Sequence, residues 1–430
     1  MQKNNLKIIV AHPGKQHSFR VATALEKKGM LFKYATTVYD KKSSLLMRVV
    51  KMFLNKDNAQ RANGRKCPFI PDEKVVQFCE FEGLLLLLLL RLDKTKRISN
   101  WWQKYISYKF QKKLARYIIL NKIDVVISYD TNSFVLFNIL KKEAPRVIKI
   151  MDNAHPNRHF LYYSYHLNWD CCGVFAKTLE MEYGGFLVNE EYSKFFGEEV
   201  KLADYHIVAS SYSKKALLYD GIDADRIFVV PYGVDKDKFI STNNKYDNLS
   251  KFKVLFIGEV NQRKGIAQIL ESANQTFGDN IEYNIVGRGK EHCEYLYRNY
   301  EGKVNFKGRV SYDELIGQLA ENNVFVFPTM GEGFGLVLLE AMAAGLPVIC
   351  TPNCAGADLI KDGYNGFIIP VGDSKSLAKK ILWLKNHSTE LEYMSKNAVK
   401  TARLYSWDLY NDNIYKSVSK MLCQHYQSAQ

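Results

Sequence analysis

The sequence predicts an α/β protein with two domains, each built on a doubly wound parallel sheet. The chain has 430 residues, which is too long for one ordinary domain and suits two of about 200. Apolar strand patterns alternate with helical patterns in both halves, and the alternation restarts near residue 253 after a polar stretch. This alternation is typical of parallel sheets that are covered by helices on both faces.

The first half opens as a strand, a polar loop and a helix, the order found in Rossmann-like domains. We predict a strand over 7–11, a loop over 12–17 and a helix from Ser18 to Lys28 that ends at Gly29. Apolar residues at helical spacing predict a further helix from Trp102. Further strands are expected at 125–128, 147–150, 204–209 and 227–230.

A run of seven leucines occupies 84–90. Spanning a bilayer takes about 20 apolar residues, so the run is too short to cross one. It is either a buried core segment or a segment at a membrane interface, and we expect it in the core because such runs usually pack inside.

The second half repeats the pattern from 253–257 onward. Its other strands are expected at 285–287, 304–306, 324–327 and 347–350, with a helix from Gly335 to Ala344. The Asn- and Asp-rich stretch 241–250 is predicted to be a surface connection. We therefore place the first domain at 1–235, the second at 236–405 and a C-terminal helix, which crosses back to the first domain, at 406–430.

The formal net charge is +15, and its excess is concentrated. Between Lys41 and Lys122, 19 lysines and arginines stand against six acidic residues. The charge of the whole region, with Trp101 and Trp102, suggests an anionic membrane surface. The helix after Trp102, taken alone, is explained slightly better as a sheet cover with a solvated lysine face. No nucleic-acid recognition motif accompanies the charge, so nucleic acid is not an expected partner.

The segment 328–340 is the most informative for chemistry. It combines a strand end, a glycine-rich turn and a helix start, with Glu332 and Glu340 eight positions apart. Gly333 and Gly335 allow close backbone approach to a ligand, and free amides at a helix start suit phosphate or sugar oxygens. Two carboxylates can hold hydroxyl groups at two points of one ligand.

This segment resembles the signature of glycosyltransferase family 4, whose members are retaining enzymes with the two-domain GT-B fold. The match includes 332–349 and extends over roughly 190–410, with 229–235 and 304–308 inside it. The resemblance implies that Glu340 holds the nucleotide ribose and Glu332 the sugar hydroxyls. It further implies donor contacts from the backbone of Phe334 to Leu336, from Gly308 and from Gly14 in the first loop.

A second element, 258–265, follows a strand and opens a helix. Arg263 and Lys264 precede Gly265, where two cations can neutralise a diphosphate leaving group. Lys264 matches the family's diphosphate-binding lysine. The family's upstream arginine is replaced by Glu259, so Arg263 is the candidate for the second cation.

A third element, 152–156, follows a strand in the first half. His155 is the candidate for the histidine that the family places beside the reacting sugar, with His159 and His166 as competitors. His12 and His17 flank Gly14 and are either site residues or ordinary polar loop residues.

Together these elements predict a hexosyltransferase that uses a UDP- or GDP-sugar and a saccharide or lipid-linked acceptor. The family resemblance further implies a retaining mechanism and a role in bacterial surface polysaccharide synthesis. No metal or other cofactor is expected, because basic side chains neutralise the leaving group. The eight scattered cysteines favour a cytoplasmic location, with peripheral attachment to the inner membrane face as an option. Two rival functions are a nucleotide-sugar epimerase on the same fold and a membrane-docked scaffold without activity.

Overall fold

A computed structural model of the chain describes residues 6–14, 17–52, 62–93, 95–183, 187, 189–239, 251–289 and 293–428. It contains two parallel sheets, one from each half of the chain, and so confirms the predicted fold class. The expected surface connection 241–250 lies outside the described residues.

The first sheet has seven strands in the order β3-β2-β1-β4-β5-β6-β7, all of its described pairs parallel. Its central strands are buried on both faces, which is why they read as continuous apolar runs. The strand order reverses between β1 and β4, where a crevice forms at the carboxyl ends of the strands. The strands are β1 (Ile8–Ala11), β2 (Leu31–Thr36), β3 (Val75–Gln77), β4 (Val125–Tyr129), β5 (Ile148–Asn153), β6 (Tyr205–Val208) and β7 (Ile227–Val229).

Nine described α-helices accompany this sheet. The predicted first helix is present, and the helix that begins before Trp102 buries Ile106, Phe110 and Leu114. The helices are α1 (Ser18–Lys27), α2 (Leu45–Met52), α3 (Glu80–Leu92), α4 (Arg97–Leu120), α5 (Phe134–Glu143), α6 (Arg158–His166), α7 (Ala176–Tyr183), α8 (Glu190–Val200) and α9 (Ser211–Tyr219).

The second sheet has six parallel strands in the order β10-β9-β8-β11-β12-β13. Its order also reverses, between β8 and β11, so a second crevice opens at their carboxyl ends. The strands are β8 (Phe252–Ile257), β9 (Ile281–Val286), β10 (Val304–Gly308), β11 (Val324–Phe327), β12 (Val348–Cys350) and β13 (Gly366–Ile368). The helices are α10 (Ile266–Gln275), α11 (Tyr312–Glu321), α12 (Leu336–Ala343), α13 (Gly356–Leu359), α14 (Ser374–Asn386), α15 (Ser388–Ala402) and α16 (Trp407–Ser428).

The last helix, α16, lies against α1 of the first domain. The Arg20 guanidinium stacks 3.8 Å from the Trp407 ring centroid. Lys28 pairs with Asp412 at 2.8 Å, and Lys27 with Asp408 at 3.1 Å. The chain therefore returns to its first domain after completing the second.

The leucine run forms α3, but the expectation that it is a core segment is wrong. Gly83 is the buried residue of this helix, whereas Leu88, Leu90 and Leu92 are more than half exposed. A seven-leucine helix presents apolar side chains all round its axis, and α3 has a neighbour on only part of that surface. Among the described residues, no helix has both the length and the apolar character required to cross a bilayer.

Candidate active site

The two domains meet where the carboxyl ends of their central strands face each other. The carbonyl oxygen of Gly333 accepts hydrogen bonds from Ser210 Oγ at 2.5 Å and from Ser213 Oγ at 3.1 Å. A Cβ on Gly333 would lie 2.2 Å from the carbonyl oxygen of Ala154. The glycine-rich turn of the second domain therefore packs directly against the loop that precedes His155 in the first domain.

The turn that carries Arg263 and Lys264 is fixed by its own sequence. The Asn261 side chain caps it by accepting the Lys264 amide, and Gly265 ends it at φ 77°. A Cβ on Gly265 would lie 2.0 Å from the Pro328 carbonyl oxygen, so only glycine allows the turn to pack against the end of β11. The Arg263 carbonyl accepts the Met330 amide at 2.8 Å, which joins the two candidate segments.

Glu332 is the centre of a charge cluster. Its Oε2 accepts hydrogen bonds from Arg263 Nη1 at 2.5 Å and from Lys264 Nζ. Its Oε1 lies 3.9 Å from His155 Nδ1. The side chains of Glu332, Arg263 and Lys264 are only 11–13% exposed, so the three charges interact in a poorly solvated place.

Burial and charge oppose each other in this cluster. Burial by itself would raise the pKa of Glu332, but the charges of Lys264 and Arg263 outweigh it and hold that pKa well below its usual value. Burial lowers the pKa of the Lys264 amine, against the influence of Glu332. We therefore treat Glu332 as ionised at neutral pH, and it balances the cations.

The predicted donor turn leads into α12 through Gly335, whose φ of 82° is left-handed. Phe334 is buried, and its ring packs edge-on against Tyr232 at 5.1 Å. The Phe334 carbonyl accepts the Ala355 amide, so that oxygen is already engaged. Leu336 is the first residue of α12 and is partly buried.

Glu340 lies on α12, apart from the charge cluster. No hydrogen bond or ion pair between described residues joins it to Lys264 or Glu332. Burial raises its pKa, and its charge contributes to the raised pKa of Tyr312 on α11. The charges of Lys264 and Arg263 thus act on Glu332, whereas burial is the cause of the shift at Glu340.

Of the three histidines after β5, the structure brings His155 to Glu332. His159 Nδ1 pairs instead with Asp220 Oδ1 at 2.6 Å, and His166 stacks on Trp169 at the end of α6. His155 is 60% exposed and is accessible from the cleft.

The first loop places Gly14 in the cleft. His12 Nδ1 accepts the Gly14 amide at 2.9 Å, and burial lowers the pKa of His12 to about 4. His17 stacks on Tyr232 with ring centroids 4.6 Å apart, and burial with the nearby charge of His155 lowers its pKa to about 4. Both histidines are therefore neutral at pH 7 and help to shape the loop.

A cavity of about 410 Å³ opens beside this cluster. The first domain provides almost all of its wall, and Arg263 is the second-domain residue that reaches it. The lining residues are His12, Pro13, Gly14, Thr37, Leu86, Gln103, Ile106, Ser107, Asp130, Thr131, Asn132, His155, Pro156, Arg158, Leu161, Glu182 and Arg263.

Sequence reasoning missed Asp130, Arg158 and Glu182, which line this cavity. Asp130 follows β4 directly, so the rule that ligands bind beyond the carboxyl ends of strands could have found it. Burial raises its pKa, and it accepts the Ala154 amide at 3.3 Å. Glu182 lies within a helix, and no local signal marks it.

Gly308 lies at the carboxyl end of β10, outside the cavity. Its carbonyl accepts the Gly287 amide at 2.8 Å, and a Cβ on Gly308 would meet open space. Only glycine is tolerated at position 287, since a Cβ there would lie 1.7 Å from the Gly258 carbonyl oxygen. Beside it, Arg288 approaches Glu259 at 3.7 Å, so a cation does stand near the position where the family's arginine is replaced.

In the described part of the chain, no group of three or more His, Cys, Asp or Glu side chains is placed to hold a metal ion. A metal-independent reaction therefore stays a prediction.

Two Rossmann-like domains that face one cleft are the architecture of the GT-B class of glycosyltransferase fold. Sucrose-phosphate synthase from Thermosynechococcus elongatus has this fold and superimposes with a TM-score of 0.65, covering 98% of this chain and 100% of that one at 16% identity.

Within the class, residues 237–401 match the family described as glycosyl transferases group 1, so the second domain is a group 1 glycosyltransferase domain. The chain is 32% identical over 196 residues to phosphatidyl-myo-inositol mannosyltransferase of Mycobacterium leprae, covering 44% of this chain and 52% of that one. It is 29% identical over 192 residues to the UDP-Gal:alpha-D-GlcNAc-diphosphoundecaprenol alpha-1,3-galactosyltransferase of Escherichia coli, covering 41% and 49%. The chain thus spans about half the length of these relatives.

Proposed function

We propose that this protein is a retaining glycosyltransferase that moves a hexose from a UDP- or GDP-sugar to a saccharide or lipid-linked acceptor. The observation that carries the proposal is the buried cluster of Lys264, Arg263 and Glu332 beside His155, at the cleft between the two domains. The E. coli relative, whose name includes a UDP-sugar donor and a lipid-linked acceptor, supports the substrate class.

In the proposed reaction, the bond from the sugar carbon to the diphosphate breaks while the acceptor oxygen bonds to the same face. Negative charge develops on the leaving diphosphate, where Lys264 and Arg263 stabilise it without a metal. The acceptor proton passes to the leaving phosphate oxygen. Glu332 Oε1 and His155 orient the sugar hydroxyls, and Glu340 holds the ribose.

The first-domain cavity is the proposed acceptor site, with Asp130 and Arg158 as polar groups on its wall. The basic region 41–122 is proposed to bring the protein to the inner face of a membrane, where surface polysaccharide is assembled.

The test uses a panel of UDP- and GDP-sugars, which are first ranked as ligands by thermal shift. Release of the nucleoside diphosphate is then measured with and without added lipid-linked or saccharide acceptors. A transferase releases nucleotide in proportion to acceptor. Interconversion of the sugar without an acceptor would instead favour the epimerase, and binding without turnover of any donor would favour the scaffold.

A further inference from the structure

An apolar groove lies between α2 and α3, outside the reaction cleft. Its volume is about 540 Å³, and two arginines stand among otherwise apolar lining residues. The lining is Val38, Leu46, Met47, Val50, Ala62, Arg65, Phe81, Leu84, Leu85, Leu87, Leu88, Leu90 and Arg91. A groove of this composition suits a hydrocarbon chain better than a sugar or a nucleotide.

The rims of the groove are apolar as well. On α2, Leu46, which lines the groove, is 41% exposed. Leu88 and Leu90 of α3 are about half exposed. An exposed apolar patch formed by two neighbouring helices marks a binding surface, because leaving it in water is unfavourable.

The helix α3 is the wall between this groove and the reaction cleft. Leu86 lines the cleft cavity, whereas Leu85 and Leu87 line the groove. The wall is thin because Gly83 allows α3 to approach the strand end closely, and a Cβ there would lie 2.7 Å from Val38 Cγ2 and 2.9 Å from Thr37 Oγ1. The segment that follows β2 also separates the two spaces, since Thr37 lines the cleft cavity and Val38 lines the groove.

The charges around the groove favour an anionic ligand. Neither Arg65 nor Arg91 forms an ion pair with any carboxylate among the described residues, and the charge of Arg91, after burial, contributes to the lowered pKa of Arg65. On the other side of Met47, a second cavity is lined by four lysines, Arg48 and Asp40, but Lys51 and Lys66 of this set are already paired with Asp40 and Asp72. A phosphate group would reduce the repulsion between Arg65 and Arg91.

We propose that the α2–α3 groove binds the hydrocarbon chain of a phosphate-bearing lipid that carries the acceptor hydroxyl. The lipid lies across α3, with its hydroxyl end in the cleft cavity, its phosphate near Arg65 and Arg91, and its chain between the two helices. This inference rests on the proposed function and narrows the acceptor to the lipid-linked class.

The direct test is photolabelling of the full chain with a 16-carbon alkyl phosphate that carries a diazirine in mid-chain, followed by peptide mapping. Adducts are expected within 45–50 and 81–91, and unlabelled hexadecyl phosphate is expected to compete. Adducts confined to the Trp101–Tyr108 face of α4, or no competed adducts at all, would overturn the proposal.

Leu88→Glu places a charge in the groove, with Leu404→Glu as the matched control at an exposed position of the second domain. We expect Leu88→Glu to lower both labelling and flotation with vesicles of phosphatidylcholine and phosphatidylglycerol roughly tenfold or more, and the control to leave both unchanged. Equal labelling of the two variants contradicts the proposal. So does a dimer of the wild-type chain that Leu88→Glu dissociates in sedimentation, because a second copy would then cover the groove.

Binding of UDP and GDP to the same variants separates this inference from the proposed function. Leu88→Glu is expected to bind the nucleoside diphosphate as tightly as the wild type does, but to show reduced labelling by the lipid probe. If the wild type binds neither nucleotide yet is labelled in the groove, the transferase assignment fails and the lipid site stands.

Discussion

The carboxylate of Glu182 in the first domain lies 2.7 Å from Arg263 Nε in the second. The same carboxylate accepts a hydrogen bond from Asn261 Nδ2, also at 2.7 Å. Arg263 therefore lies between two acids, Glu182 across the cleft and Glu332 within its own domain. Any diphosphate that uses Arg263 must compete with both, so Glu182 sets how much of that positive charge a donor experiences.

Replacing Glu182 with glutamine is expected to tighten the binding of UDP or GDP about fivefold, or about 1 kcal/mol, because one competing negative charge is removed. Isothermal titration calorimetry measures the change. Glu180→Gln on the same helix, whose partner is Lys177, is the control. Weaker binding in Glu182→Gln would mean that the acid positions Arg263 for the donor instead of competing with it.

Lys264→Ala is expected to weaken nucleoside diphosphate binding roughly tenfold to a hundredfold and nucleoside binding very little, since in the proposed donor complex the ammonium contacts the phosphates and not the nucleoside. Titration with UDP and uridine, or GDP and guanosine, separates the two effects. Lys361→Ala, at an exposed position, serves as the control. Similar losses for both ligands would remove Lys264 from the diphosphate site.

Glu332→Gln should reduce stability in a pH-dependent way. Because the folded pKa of Glu332 lies below the unfolded value of about 4.3, its stabilisation is complete above that pH and is lost as the pH falls through the folded pKa. At pH 7 we expect the variant to be about 3 kcal/mol less stable, since Lys264 loses the carboxylate with which it pairs, whereas Arg263 retains Glu182. Urea unfolding from pH 7 to pH 3 tests this, with Glu392→Gln in an exposed pair as the control. A pH-independent difference would show that the cluster charge is not responsible.

His155→Ala and His159→Ala are expected to separate chemistry from stability. His155 faces Glu332 in the cleft, so its loss should lower kcat about a hundredfold with little change in melting temperature. His159 is bonded to Asp220, so its loss should lower the melting temperature and spare kcat. The reverse pattern would move the site histidine to position 159.

Gly333→Ala is expected to lower kcat/KM about a hundredfold, because the added Cβ clashes with the backbone of Ala154 and displaces the domains. Gly317→Ala in α11 is the matched control, where a Cβ meets no atom within 4 Å. That change should stabilise the protein by about 0.5–1 kcal/mol, as alanine favours a helix. Unaltered kinetics in Gly333→Ala would indicate that the domain contact is not needed for turnover.

The local sequence pattern was sufficient to predict the two-sheet architecture and the turn before α12. Alternating apolar segments predict strands and helices directly, and of the glycines near Glu332, Gly335 provides a left-handed backbone while Gly333 allows close approach of another backbone segment. The same reasoning was wrong about α3, because a leucine run specifies an apolar helix and not whether a neighbour covers it.

The amino-acid sequence by itself determined most strands of both sheets, the Glu332 turn and the lysine–glycine pair at 264–265, because each depends on neighbouring residues. The short or partly polar strands β2, β3 and β13 were not among those it predicted. Only the tertiary structure decided that His155, and not His159, meets Glu332, and that Glu182 reaches Arg263 across the cleft. It also decided that the carboxylate paired with Lys264 and Arg263 is that of Glu332 and not that of Glu340. Contacts between distant segments depend on how two sheets and their helices pack, and no local spacing encodes that packing.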